Sequence, residues 1–366
     1  MSLKIKNLAV IGLVSAFIAG FSVCEIISPN KKISINERRP LAQFPEANAD
    51  SLLNGKFMSE FENYALDQFP LREKFRSLKA VFTLYGMQKK ENNGIIFSEN
   101  YASKLDYPLN MESLNYASER IKYIYEKYLQ NSNCKVYFSI VPDKNFFVSK
   151  KEKIPTMNYD LLTDTMTKKL DFASYINIFQ TLDISDYYNT DTHWKQDKIK
   201  DTADFLMESM NTPCSSKYET FLLDKPFYGV YYGQSALPLK PDELRYIKNN
   251  GIENCSVFDY ETNSYIPVYD MEKADSDDPY EMFLSGSKSL LTIENKSSET
   301  DKELIIFRDS FGSSIAPYFI DSYRKVILVD TRYILPDMIG KFIKIQNSDV
   351  LFLYSTFLLN NSNTLK

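Results

Sequence analysis

The stretch LIIFRDSFGSS, residues 304–314, decides how the rest of the chain is read. Four apolar residues, three of them β-branched or aromatic, read as a buried strand that runs out at Phe307. Arg308, Asp309, Ser310, Phe311 and Gly312 follow, and then a helix is expected to begin. A Ser at a strand-to-helix turn presents its hydroxyl at the edge of a sheet. The start of the following helix brings backbone N–H groups without helical partners. Such groups stabilise an oxyanion, an effect worth about 3–4 kcal/mol per donor in studied enzymes. Gly312 would leave room for a substrate to approach. The plainer reading is that Asp309 or Ser310 simply caps a helix.

Working outward, the same kind of apolar run recurs at KVYFSIV (135–141), INIFQTLD (176–183), KVILVD (325–330) and DVLFLYS (349–355). Amphipathic helical patterns lie between them, at 111–130, 158–173, 195–210, 311–320 and 334–346. Strands alternating with helices predict an α/β fold with a mostly parallel sheet covered on both faces. The middle of the chain, about 212–300, is rich in Tyr, Pro, Asn and Ser and reads as an irregular insertion with room for short hairpins. Ligands of open parallel sheets bind beyond the carboxyl ends of the strands. Four stretches fall there: PDKN (142–145), TDTHW (190–194), RDSFG (308–312) and DTRY (330–333).

TDTHW contains the single His and the single Trp of 366 residues, in a chain with 26 Tyr and 25 Phe. A Ser nucleophile needs a base, and the imidazole is the side chain whose ordinary pKa suits proton transfer near neutrality. His193 is therefore the candidate base for Ser310. Asp191 precedes it by two residues, and in extended backbone positions i and i+2 share a side. The carboxylate is placed to fix the tautomer of the ring and to stabilise the imidazolium. The competing reading of a lone His is a hydrogen-bonded core residue. Trp194 reads as packing, or as one wall of an acceptor groove.

The ends and the composition narrow the class. Lys4 and Lys6 precede LAVIGLVSAFIAGFSVC, residues 8–24, an uncharged apolar run that with EII is long enough to cross a bilayer. Lysines before it predict the N-terminus inside and the bulk of the chain outside. No small-x-small cleavage site is apparent, which favours an uncleaved anchor over a removed signal. Val23 before Cys24 is too large for a lipidation site. Residues 29–50 read as an extended linker, and 57–85 as helix broken at Pro70. This gives an anchor over 1–28, a linker and helical region over 29–109, and a catalytic domain over 110–366. Net charge is −5 with no basic block, so nucleic acid is a poor partner. One His excludes a His-rich metal centre, though not one built from carboxylates. Spacing does not decide whether Cys214 and Cys255 pair or stay free.

With DTHW (191–194) and RDSFG (308–312) in this order, and ERRPLAQFPE (37–46), DQFPLREKF (67–75) and KKENNGIIF (89–97) before them, the chain resembles the DHHW family. That family is related to the alginate O-acetylation proteins AlgJ and AlgX, in the SGNH-hydrolase-like superfamily. The resemblance covers nearly all of the chain beyond the anchor. It departs at Thr192, where the family has its first His. What it implies is a three-layer SGNH-like fold, with Ser310 as nucleophile and Asp191 and His193 as the acid–base pair. The expected activity is O-acetyl transfer to an extracytoplasmic polysaccharide, with no cofactor, beside a membrane-bound O-acyltransferase. An acetylesterase with the same triad, or an idle glycan-binding scaffold, are the rivals. Arg308, Asn145, Trp194, Gly312, Arg332 and Tyr333 are the candidate oxyanion or acceptor contacts.

Overall fold

The computed structural model describes residues 3–152 and 154–366. The chain divides into a unit of Met1–Asn93 with Tyr232–Leu239 and a larger unit of Gly94–Tyr231 with Lys240–Lys366.

The smaller unit holds helix α1 (Leu3–Ile27), α2 (Lys56–Gln68) and α3 (Arg72–Val81). α1 is long and apolar enough to cross a membrane. The α2–α3 break falls at Phe69–Leu71, around Pro70, which has no N–H to continue a helical ladder. The stretch 29–50 is not a free linker. Ile33–Ser34 pairs with Arg39–Pro40, and the Arg39 guanidinium makes a two-pronged ion pair with Asp67 at 2.6 and 2.8 Å.

In the larger unit the elements are, in chain order, β1 (Ile95–Ser98), β2 (Tyr101–Lys104), α4 (Met111–Ile124), β3 (Lys135–Val141), α5 (Lys144–Glu152), α6 (Tyr159–Lys169), β4 (Ser174–Tyr175), α7 (Lys200–Ser209), β5 (Glu219–Phe227), β6 (Asp242–Lys248), β7 (Ser256–Asp259), β8 (Ser264–Ile266), β9 (Leu290–Glu294), β10 (Glu303–Arg308), α8 (Phe311–Ile315), β11 (Lys325–Val329), α9 (Pro336–Ile339) and β12 (Asp349–Ser355). Eight strands form one sheet in the order β8-β7-β9-β11-β10-β12-β3-β4. From β11 to β4 all neighbours are parallel; β9, β7 and β8 are added antiparallel.

The sheet is buried on both faces, so its strands read as unbroken apolar runs. Along β12, Leu351 and Leu353 face a cluster that includes Ala203, Leu206 and Met207 of α7. Val350, Phe352 and Tyr354 face the other cluster, with Leu114, Ala117 and Ile121 of α4 and Leu162 and Met166 of α6. Each large apolar side chain fully buried this way contributes about 1.5–3 kcal/mol.

Three expectations differ from the structure. Residues 176–183 form turns after the two-residue β4, because the Asn177 carboxamide accepts the Phe179 amide at 3.1 Å and bends the chain. Helix 311–320 is five residues followed by a 3₁₀ turn at Ala316–Phe319, since Pro317 cannot donate. Helix 334–346 shrinks to Pro336–Ile339. The stretch 212–300, moreover, builds the β5/β6 hairpin and three strands of the main sheet.

Candidate active site

Two of the strand-end stretches meet. β10 ends at Arg308, and the chain turns through Asp309 into α8 with Ser310 at its N-cap position. Asp309 makes that turn rigid. Its Oδ1 accepts the Phe311 amide at 3.1 Å and its Oδ2 accepts the Ser355 amide, at the end of β12, at 2.9 Å. Gly312 is required for packing: a Cβ there would lie 2.6 Å from Cβ and 2.8 Å from Cγ of Arg308. The space that Gly312 was expected to leave for a substrate is filled by the Arg308 stem.

The loop Tyr187–Trp194 supplies the partners of Ser310. Its ends pair as an isolated bridge, and the Tyr188 amide donates to the His193 carbonyl at 3.1 Å. The Asp242 carboxylate holds the loop from outside, accepting the amides of Asn189 and Thr190 and the Thr190 hydroxyl at 2.6–2.7 Å. Lys144 holds it from inside: its buried ammonium donates to the carbonyls of Tyr188 at 2.9 Å and Asn189 at 3.3 Å. Burial pushes the Lys144 ammonium down to about 7, against the opposing pull of Asp191 and Asp242.

At the end of this loop Asp191 Oδ1 lies 2.6 Å from His193 Nδ1, and His193 Nε2 lies 2.7 Å from Ser310 Oγ. Asp191 Oδ1 also accepts the His193 amide at 3.1 Å, and Oδ2 accepts the Val230 amide at 2.9 Å. An ionised carboxylate only accepts, so the network assigns the ring proton to Nδ1. Nε2 then offers its lone pair to the Ser310 hydroxyl. Gly229 lets the chain pass this close, since a Cβ there would meet Asp191 Cβ at 2.3 Å. The imidazole lies flat on the Tyr280 ring, 3.9 Å between centroids at 10°, with Phe311 tilted beside it at 5.1 Å. Asp191 is buried; the His193 side chain keeps 13% of its exposure.

The other candidate residues stand apart from this line. Trp194 is fully buried: its indole N–H donates to Ser314 Oγ at 2.8 Å, and it crosses Phe311 edge-on. It is a core residue and forms no groove wall. Asn145 is buried, accepting from Ser103 at 2.7 Å and donating to the Lys104 carbonyl, so its amide ties α5 to β2. Arg332 is held in a two-pronged pair by Asp330, at 2.8 and 2.6 Å. Tyr333 is half-exposed and lines a cleft of about 360 Å³ with Tyr260 and Phe342. Arg308 is buried with its Nη1 3.6 Å from Asp330, and its Nε has no hydrogen-bond partner among the described residues. Burial lowers its pKa, opposed by Asp330.

The helix-start amides expected to bind an oxyanion are occupied: Phe311 N–H by Asp309 Oδ1, and Gly312 N–H by the Asp309 carbonyl at 3.1 Å. Tyr280, Asp242 and Gly229 carried no sequence signal, each being one residue of a common type in an unpatterned stretch; Lys144 lies in the strand-end stretch PDKN, where the sequence does not single it out. Cys214 and Cys255 are free thiols. Among the described residues, no three or more His, Cys, Asp or Glu side chains converge as a metal site requires.

No family model and no curated protein matches the chain. Solved structures do. A DHHW family protein from Eubacterium siraeum is 20% identical with a TM-score of 0.57, over 75% of this chain and 94% of that one. PatB1 of Bacillus cereus is 16% identical with a TM-score of 0.55, over 72% and 96%, and its structure with a sulfonyl adduct gives 19% and 0.53, over 72% and 97%. The O-acetyltransferase domain of Pseudomonas putida AlgJ is a weaker match, 10% identical with a TM-score of 0.42, over 73% and 92%. At these identities the likeness to the DHHW family protein and to PatB1 is one of fold, and it lies in the α/β architecture described above, a mostly parallel central sheet between helical layers.

Proposed function

We propose that this protein is a serine-dependent O-acetyltransferase of the SGNH-like kind, acting on a polysaccharide outside the cytoplasm. The observation that carries the reading is the unbroken line from Asp191 through His193 to Ser310, at 2.6 and 2.7 Å. Ser310 Oγ attacks the carbonyl carbon of an acetyl donor while His193 Nε2 takes the hydroxyl proton. Asp191 stabilises the imidazolium, with the flat Tyr280 ring supplying further attraction for a cation. The tetrahedral adduct collapses to acetyl-Ser310, and the proton on Nε2 passes to the leaving group. A sugar hydroxyl then attacks the acyl carbon, giving its proton to His193 Nε2. As the second tetrahedral adduct collapses, that proton passes to Ser310 Oγ, the bond from Oγ to the acyl carbon breaks, and the free hydroxyl and neutral imidazole are restored.

The fold it shares with PatB1, on which a sulfonyl adduct has been captured, supports a reactive hydroxyl. α1 anchors the chain in this reading, beside a membrane-bound O-acyltransferase that delivers the acetyl group. The test is hydrolysis of a small acetyl ester and labelling by a sulfonyl fluoride. Both are expected of the wild type and neither of Ser310→Ala; equal inertness of the two proteins refutes the enzyme. Labelled acetyl appearing on an oligosaccharide supports transfer, and appearing only in acetate supports the acetylesterase.

A further inference from the structure

Leu71, Phe75, Leu78, Phe82 and Tyr85 follow one another at spacings of four, three, four and three residues. They form one apolar stripe along α3 and the turn that continues it. In a soluble domain such a stripe faces the core. Here it faces outward: Leu71 is 58%, Leu78 64%, Phe82 62% and Tyr85 78% exposed. The charged side is turned inward instead. Arg72 and Arg76, with 16% and 17% of their side chains exposed, pair with Glu37 at 2.7 and 3.1 Å. Arg76 also donates to the Gly233 carbonyl at 2.9 Å. A helix that turns its arginines in and its leucines out requires an apolar surrounding on that side.

The position of Phe75 indicates which surrounding. Its ring meets Phe21 of α1 edge-on at 5.7 Å, and Phe69 stacks on Phe21 at 5.2 Å and 3°. Phe21 lies six residues before the end of α1 at Ile27, which is about 9 Å at about 1.5 Å per residue. If α1 crosses a bilayer, Phe21 and therefore Phe75 lie near the boundary of acyl chains and headgroups. Interfacial helices sink their apolar face about 5–10 Å into that boundary, the same depth. Lys74 and Lys79 flank the stripe, exposed, with the charge that anionic headgroups attract.

We propose that the Leu71–Tyr85 segment lies in the outer surface of the bilayer that α1 spans, a second attachment of the chain to lipid. The inference rests on α1 as an anchor and is independent of the triad chemistry.

The test uses the full chain in vesicles of phosphatidylcholine and phosphatidylglycerol. Trp194 is buried, so lipid cannot reach the native indole. Leu78→Trp, Phe17→Trp and Tyr265→Trp are made separately, the last at a site in the larger unit that is 71% exposed. Lipids brominated just below the headgroup should remove most of the emission added by Leu78→Trp, and deeply brominated lipids that of Phe17→Trp, with Tyr265→Trp unaffected. If Phe17→Trp is quenched and Leu78→Trp no more than Tyr265→Trp, the interfacial helix is refuted while the anchor stands, and a protein partner or second copy covers the stripe. If neither is quenched, the anchor fails and the inference with it.

Discussion

Asp191→Asn exchanges one oxygen for an amino group and removes one charge. The structure says how the new carboxamide must sit. Oδ1 accepts from the His193 ring and the His193 amide, and Oδ2 accepts from Val230. With the amide oxygen toward His193, the part-buried Val230 N–H loses its acceptor; with the amide nitrogen there, the His193 ring and the His193 amide lose theirs. The first arrangement is preferred, so the ring keeps its proton on Nδ1 and Nε2 stays a base. What is lost is the attraction between carboxylate and imidazolium. Unit charges about 4 Å apart at an effective dielectric of about 20 attract by about 4 kcal/mol, an upper figure for this partly exposed ring. A loss of about 2–4 kcal/mol lowers kcat about 30- to 1,000-fold. The orphaned Val230 amide should cost a further 1–3 kcal/mol, roughly, of folding stability. Ester hydrolysis under saturating substrate and urea unfolding measure the two effects. A variant with wild-type kcat, while Ser310→Ala is inert, would refute the assignment of Asp191. So would a kcat loss without any loss of stability, since the account links both to one carboxylate.

Other outcomes follow from named contacts. Tyr280→Phe keeps the ring under the imidazole and loses only the hydroxyl bond to Ser314, at 2.9 Å, so stability should fall by about 0.5–1.5 kcal/mol with kcat nearly unchanged. Tyr280→Leu removes the ring as well and should lower kcat about 2- to 30-fold, from about 0.5–2 kcal/mol of cation–π attraction; equal kcat in the two variants refutes that role. Gly312→Ala must displace the Arg308 stem and should cost about 1–3 kcal/mol in urea unfolding; an unchanged midpoint would show that the α8 turn has slack. Lys144 titrates at about 7 in the fold, against about 10.4 in the unfolded chain. Between those values the unfolded chain binds the extra proton, so this group makes stability rise with pH. Lys144→Met should flatten that rise by up to one proton, leaving the contribution of the neighbouring Lys195, which burial also lowers; an unchanged slope refutes a buried, shifted ammonium.

The legible and illegible parts of the chain divide along physical lines. KVYFSIV and DVLFLYS read directly as strands because both faces of the sheet are buried, which forces a continuous apolar run whose ends are the strand ends. The antiparallel strands β7 and β8 were hidden, since SVFD and SYI are short, half-polar and without period. At the site, His193 stood out by being unique and Ser310 by its place after a strand. Tyr280, one of 26 Tyr, and Asp242, in an unpatterned stretch, act through tertiary proximity, which a single sequence does not encode locally. Trp194 shows the limit of uniqueness: a rare residue beside His193 proved to be packing.

The placement of β12 has a further consequence. It comes last among the strands in chain order, yet it lies between β10 and β3, with Ser355 at its end bracing Asp309. Until residues near 355 have emerged from the ribosome, and from any export channel, the neighbours of β12 cannot close on each other, and the Ser310 turn lacks its brace. A partly synthesised chain therefore lacks the contact that fixes the Ser310 turn, and any truncation before residue 349 should abolish the sheet as a whole and not merely shorten it.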